Sequence, residues 1–135
     1  MPRGRRTDYR TLAEFRYQIR RYLAFSERAV RAYGLDVKQH QLLLALKGLP
    51  AGVSPTIGAL ARRLLVRHHS AVGLIDRLAE KGLVTRRVDP ADRRRVLVKI
   101  TRKGEAVLRR LTRLHRDEIA TAGPALLRAL RALIS

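Results

Sequence analysis

From Leu12 onward, apolar side chains return at intervals of three and four: Leu12, Phe15, Ile19, Tyr22, then Val30 and Tyr33, with Ser26 as a polar gap in the stripe. That period fits one face of an α-helix and predicts a long amphipathic helix within residues 8–34, closed by Gly34. Thr11-Leu-Ala-Glu14 reads as its capping box or first turn. A second helix, VKQHQLLLALKG, has Asp36 as its cap and Gly48 as its stop. LPAGVSPT, with two prolines and a glycine, reads as loop. Two further helices follow. TIGALARRLL places Ile57, Leu60, Ala61 and Leu64 on one side, and HHSAVGLIDRLAEKG does the same with Ala71, Leu74, Ile75 and Leu78 before Gly82 ends it. Only Val66-Arg67 connects them.

The period then changes from helical to alternating. LVTRRV and RVLVKIT are β-rich runs around DPADRR, predicting a hairpin with Val96, Val98 and Ile100 facing inward and Leu97 and Lys99 outward. Thr101 caps a long helix through Ala106, Leu108, Leu111, Leu114 and Ile119, which Gly123-Pro124 is expected to break, Pro124 opening a final helix. The fold class is therefore mainly α with a small β-wing. Residues 36–100 form a winged helix-turn-helix, and 8–34 and 101–135 supply N- and C-terminal dimerisation helices, all within a single domain, 1–135. A long amphipathic helix needs another helix or another chain to cover its stripe, and a dimer interface is the economical cover. Residues 1–7 read as a flexible basic arm, with Arg3, Arg5 and Arg6 as phosphate contacts.

Charge sharpens this picture. Thirty Lys and Arg stand against eleven acids, a net charge of +19. Such a surplus opposes compaction unless a polyanion neutralises it; nucleic acid, double-stranded DNA included, is the commonest such partner and an anionic membrane surface the next. No cysteine is present, which excludes disulfides, thiolate metal sites and thiol redox sensing. No apolar run is long enough to span a membrane, so the chain is expected to be cytoplasmic with no membrane partner.

The segment TIGALARRLLVRHHSAVGLIDRLAEKGLVTRRVDPADRRRVLVKITRKG resembles the DNA-binding core of the MarR family of regulators. The resemblance is specific at Leu60-Ala61, at Leu74-Ile75-Asp76-Arg77-Leu78 and at Lys81-Gly82-Leu83-Val84. It continues at Asp89-Pro90-x-Asp92-x-Arg94 and at Ile100-Thr101-x-x-Gly104. It implies a homodimer on a palindromic operator, most readily a repressor that acts by occupying promoter DNA. In the family the wing acid holds the wing arginine. Carried over, Asp92 would position Arg94 in the minor groove, with Arg93 and Arg95 bracketing phosphates. The plainer reading of these charges is a solvated hairpin.

The helix from His68 would enter the major groove with Arg67, His68, His69, Ser70, Gly73 and Arg77 exposed. The sequence departs from the family pattern at three places. Leu65 stands where glycine is common, Arg67 where a small capping residue is common, and Gly73 where a long polar side chain is frequent. Base readout is therefore assigned to His68, His69 and Ser70, while Asp76 and Arg77 read as structural or phosphate-contacting. Thr56 and Lys38 are candidate DNA phosphate contacts. The resemblance also implies a small-molecule effector crevice, for which Tyr17, Tyr22, Phe25, Leu42 and Leu46 are candidate linings, though core packing explains them as well.

Other chemistry is poorly supported. His68 and His69 diverge by about 100° on a helix and rarely share one ion, so no metal and no cofactor is expected. There is no phosphate-binding Gly-rich loop or nucleophile elbow, so no enzyme activity is expected. The main alternative is a non-specific architectural DNA-binding protein, for which a full recognition helix would be superfluous.

Overall fold

The computed structural model describes residues 8–135. Its elements, in order, are α1 (Tyr9–Ala32), α2 (Val37–Lys47), α3 (Ile57–Leu64), α4 (His68–Glu80), β1 (Val84–Val88), β2 (Val96–Ile100) and α5 (Arg102–Ile134). This is the expected mainly helical chain with one two-stranded antiparallel sheet. The arm, with Arg3, Arg5 and Arg6, lies outside the described residues. The chain forms two compact units: Val30–Leu111, and the residues up to Ala29 together with Thr112–Ser135.

In the Val30–Leu111 unit, local side chains satisfy the helix ends. Asp36 accepts from the Gln39 backbone N–H at 2.8 Å, and the Gln39 side chain accepts from the Asp36 N–H at 3.1 Å, a complete capping box for α2. Lys81 Nζ donates to the Gly34 carbonyl at 2.6 Å and to Gln39 Oε1 at 2.9 Å, tying the end of α4 to the start of α2. Thr56 caps α3, its hydroxyl oxygen accepting from the Ala59 N–H at 3.1 Å. The turn after α3 puts Leu65 in the left-handed region, φ 56°, with 92% of its surface exposed. That conformation favours glycine and costs leucine about 1–2 kcal/mol. Val66 N–H closes the turn on the Ala61 carbonyl at 3.0 Å.

Leu42, Leu43, Leu60, Ile75, Leu78 and Val84 are buried where α2, α3, α4 and the hairpin meet. The hairpin pairs Val84 with Ile100 and Val88 with Val96, so Val98 is buried and Lys99 exposed. Leu97, expected to face outward, is only half exposed. The reason is a pairing the loop reading overlooked: Thr56 bridges to Leu97, and Val98 N–H donates to the Pro55 carbonyl at 2.9 Å. The end of LPAGVSPT thus covers the outer edge of β2, whose backbone groups would otherwise lack protein partners. At the hairpin's other end, Thr101 caps α5. Its hydroxyl donates to the Gly82 carbonyl at 2.6 Å and accepts from Gly104 N–H at 3.0 Å, and its own N–H reaches the Leu83 carbonyl at 3.0 Å. Gly104 allows this close approach, because a Cβ there would lie 2.2 Å from the Leu83 oxygen.

The other unit corrects two expectations. The first turn of α1 is organised by Asp8, not by a Thr11–Glu14 box: Asp8 Oδ1 accepts from Thr11 N–H at 3.0 Å and Oδ2 from the Thr11 hydroxyl at 2.5 Å. Thr11 is therefore inside the helix, and Glu14 accepts from Gln18 at 2.9 Å. Second, α5 continues through Gly123-Pro124 without a break. Proline removes one ladder bond and strains the turn before it, at about 3 kcal/mol. Covered positions at His115, Glu118, Ala122, Leu126, Ala129 and Leu133 keep one three-and-four register across it, while Pro124 itself faces outward. Continuous packing of that face outweighs the local penalty. The polar gap at Ser26 also acquires a reason, since its buried hydroxyl lies 2.8 Å from Nε2 of buried His115. Tyr22 and Phe25 set their edges against the same imidazole, with centroids 6.0 and 5.7 Å away.

Candidate nucleic-acid interface

The helix-turn-helix and wing carry a large share of the cationic surplus. Residues 30–111 hold 18 Lys and Arg against 6 acids, a net charge of +12. Within this unit two structures project charged side chains outward from a fixed backbone.

The first is the wing loop. Asp89 is buried and accepts from Ala91 N–H at 2.9 Å, while its backbone N–H donates to the Arg95 carbonyl at 2.9 Å. It lies 3.8 Å from Arg95 Nε as well. Asp92 then fixes the tip. Its Oδ1 accepts from the Arg94 backbone N–H and from Nε, both at 3.1 Å, and Oδ2 lies 3.3 Å from Nη2. The Arg94 side chain is nonetheless 90% exposed, so it is aimed by Asp92 without being covered. The Arg94 guanidinium, then its backbone N–H and the charge of Arg95, hold the Asp92 carboxyl below the ordinary carboxylate value. Arg93 and Arg95 flank it, also exposed. Sequence reasoning gave Asp89 no role, although Asp-Pro ahead of a turn is a signal for a carboxylate that bonds its own loop.

The second is the outer face of α4. Arg67 occupies the cap position and makes no side-chain cap bond, and His68, His69 and Ser70 after it are exposed. The opposite face, Ala71, Leu74, Ile75 and Leu78, is buried. Asp76 pairs with Arg86 of β1, linking helix to wing, a partner the sequence did not reveal. Arg77 is exposed, and its guanidinium lies back over Gly73. Arg87 and Lys99, also unassigned from sequence, share the hairpin's outer face with Thr85 and Leu97 around a shallow cleft reaching Pro55.

Among the weaker candidates, Lys38 is exposed on α2. The backbone N–H of Thr56 already donates to Ser54 at 2.8 Å, so its hydroxyl proton is what it can still offer a phosphate. Leu42 and Leu46 are core residues of the Val30–Leu111 unit. Tyr17, Tyr22 and Phe25 belong to the other unit, where Tyr17 is half exposed beneath Arg21 and burial pushes the Tyr22 hydroxyl pKa up. A groove of about 410 Å³ in that unit is lined by different residues, including Arg10, Glu14, Gln18, Arg128 and Ala129. Among the described residues, no cluster of His, Asp and Glu could hold a metal ion, and no helix is long and apolar enough to cross a membrane.

The sequence pattern of the MarR family matches residues 33–95, from before α2 to the end of the wing loop. Over this winged-helix segment the chain is similar to the MarR family. The transcriptional activatory protein BadR of Rhodopseudomonas palustris is 39% identical over 80 residues, which are 59% of this chain and 46% of that protein. The matched part of the chain thus spans about half the length of that relative. A mutant of S. aureus MepR bound to an oligodeoxyribonucleotide superposes with a TM-score of 0.68 at 19% identity, over 84% of this chain and 82% of that one. Bordetella bronchiseptica BpsR, solved to explain how 6-hydroxynicotinic acid regulates its DNA binding, gives 0.69 at 22% identity, over 97% and 94%. At these identities the structures speak for the fold alone, over 84% and 97% of this chain.

Proposed function

We propose that this chain is a MarR-family, sequence-specific regulator of transcription that binds double-stranded DNA as a homodimer on an inverted repeat. Each protomer lays α4 in a major groove, with Arg67, His68, His69, Ser70, Gly73 and Arg77 toward the bases. The wing reaches the adjacent minor groove through Arg94. Arg93, Arg95, Thr56 and Lys38 contact phosphates. The observation that carries this reading is the wing tip, where an almost fully exposed guanidinium is aimed by Asp92 on a loop whose backbone Asp89 ties down. A cation ordered in advance and left uncovered suits a narrow, electronegative groove. The DNA-bound form of MepR, a protein of the same fold, supports the same use of the scaffold.

Two-fold symmetry places half-sites about one helical turn apart. Repression follows when the occupied site overlaps promoter DNA. BadR, a transcriptional activatory protein, favours a second reading in which occupancy recruits rather than excludes polymerase. A small-molecule effector, as 6-hydroxynicotinic acid is for BpsR, would act by changing the spacing of the two α4 helices.

Selection of duplexes from a random pool tests the proposal. An inverted repeat preferred over random duplex by about 10³ or more is expected. Equal affinity for every duplex would favour an architectural protein and overturn the regulator reading.

A further inference from the structure

Gly73 lies inside α4, where glycine costs about 1 kcal/mol relative to alanine. Nothing in the fold requires it. Its φ is not among the positive values found at Gly34, Gly52 and Gly82, so no left-handed turn is at stake. A Cβ at this position would meet no backbone and no core side chain. The atoms within 4 Å of it are Nη1 and Nη2 of Arg77, at 3.8 and 4.0 Å, ordinary contact distances. Gly73, expected to be exposed, is half-buried: the glycine leaves open one place on the helix surface, and the Arg77 guanidinium lies over it.

The route to that place is local. Helical side chains point toward the N-terminus, and residues four apart lie on one face, so Arg77 reaches back one turn over residue 73. The neighbouring acid does not draw it elsewhere, because Asp76 is paired with Arg86. Both terminal nitrogens of the guanidinium are thus carried from the third turn of α4 to the second. There they lie over Gly73, one helical turn closer to the start of α4 than Arg77 itself. This is a different assignment from the phosphate or structural role that sequence position suggested.

We propose that Arg77, working through the opening left by Gly73, is the main base-selecting side chain of α4 and chooses a guanine in each half-site. The inference rests on the DNA-reading role proposed above. Guanine offers O6 and N7 side by side on its major-groove edge, and two coplanar N–H groups of one guanidinium match them. A lysine supplies the same charge as a single point and cannot make that paired contact. A long side chain at residue 73 would refill the space and push the guanidinium aside.

The test is selection from a random duplex pool with the full chain, followed by affinities for the selected site and its single-base variants at fixed salt. Wild-type protein, Arg77→Lys, Arg77→Ala and Gly73→Gln are compared, with circular dichroism confirming the helix content of each. The wild type is expected to enrich one guanine per half-site. Arg77→Lys, which keeps the charge and the fold, is expected to lose roughly 5- to 150-fold of its preference for that guanine while retaining its affinity for random duplex. Gly73→Gln is expected to lose the same preference at the same base. If Arg77→Lys and Arg77→Ala retain every base preference of the wild type, or weaken binding to all duplexes equally, the proposal is overturned while the regulator reading stands. If the wild type selects no sequence, both fall.

Discussion

Replacing Gly104 with alanine adds one methyl group to α5, and in most helices that change stabilises. Here the new Cβ would stand 2.2 Å from the Leu83 carbonyl oxygen, 2.9 Å from Ile100 Cγ1 and 3.0 Å from the Leu83 carbonyl carbon. Two of the three obstacles are backbone, so no side-chain rotation relieves them. The helix start must retreat from the β1 entrance by close to an ångström. Two bonds are made across that gap, Thr101 N–H to Leu83 O and the Thr101 hydroxyl to Gly82 O. Losing them costs about 1 kcal/mol each, and overpacking adds about 1–3 kcal/mol, so a net loss of about 2–4 kcal/mol is expected after the small gain in helix propensity. For a chain of this size that corresponds to a fall in Tm of roughly 7–14 °C. Thermal melts of Gly104→Ala and wild type at one protein concentration measure it. Gly73→Ala is the contrast, because its Cβ meets a flexible guanidinium at ordinary distance and should raise stability by about 0.5–1 kcal/mol. An unchanged or higher Tm for Gly104→Ala would refute the close approach of α5 to Leu83.

Three further outcomes are expected. Arg94→Ala should weaken operator binding by about 1–3 kcal/mol in titrations while leaving the melting curve in place, since the side chain is exposed; unchanged affinity would remove the wing from the interface. Arg67→Asp supplies the missing cap of α4 and should stabilise the fold by about 0.5–2 kcal/mol while sharply reducing affinity for DNA, so a variant that binds as well as wild type would contradict the placement of this helix end. The Asp92 carboxyl should titrate below its ordinary value of 3.8 by carbon-detected NMR. The order that its contact with Arg94 gives the wing is therefore complete above the ordinary value and disappears as pH falls through the lower folded value; a midpoint at 3.8 or higher would argue that the contact is absent in solution.

Much of the fold could be read from local signals. Asp36 with Gln39, Gly34, Gly48 and Gly82 as stops, and the alternating runs around residues 89–95 each announce a boundary by chemistry confined to a few residues. The misreadings arose where a distant partner outweighed a local rule. Pro124 stays helical because the covered face of α5 extends on both sides of it. Thr56 pairs with Leu97, 41 residues away in sequence, and no periodicity in LPAGVSPT reports that. Ser26 looked like a defect in a stripe until His115 was placed opposite it. In the candidate interface, the pairing of Asp92 with Arg94 was implied by the family resemblance, and the structure has that contact. Asp76 with Arg86 needed the packing of α4 on β1, and the spacing of Gly73 and Arg77 revealed neither the direction nor the reach of the arginine.

Thr56 serves two elements at once. Its hydroxyl begins α3, and its main chain is stitched to β2 beside the wing. Hairpin and helix pair therefore meet at one residue, at the start of α3. A shift of this residue is felt by helix and strand together, so neither can be repositioned while the other holds it.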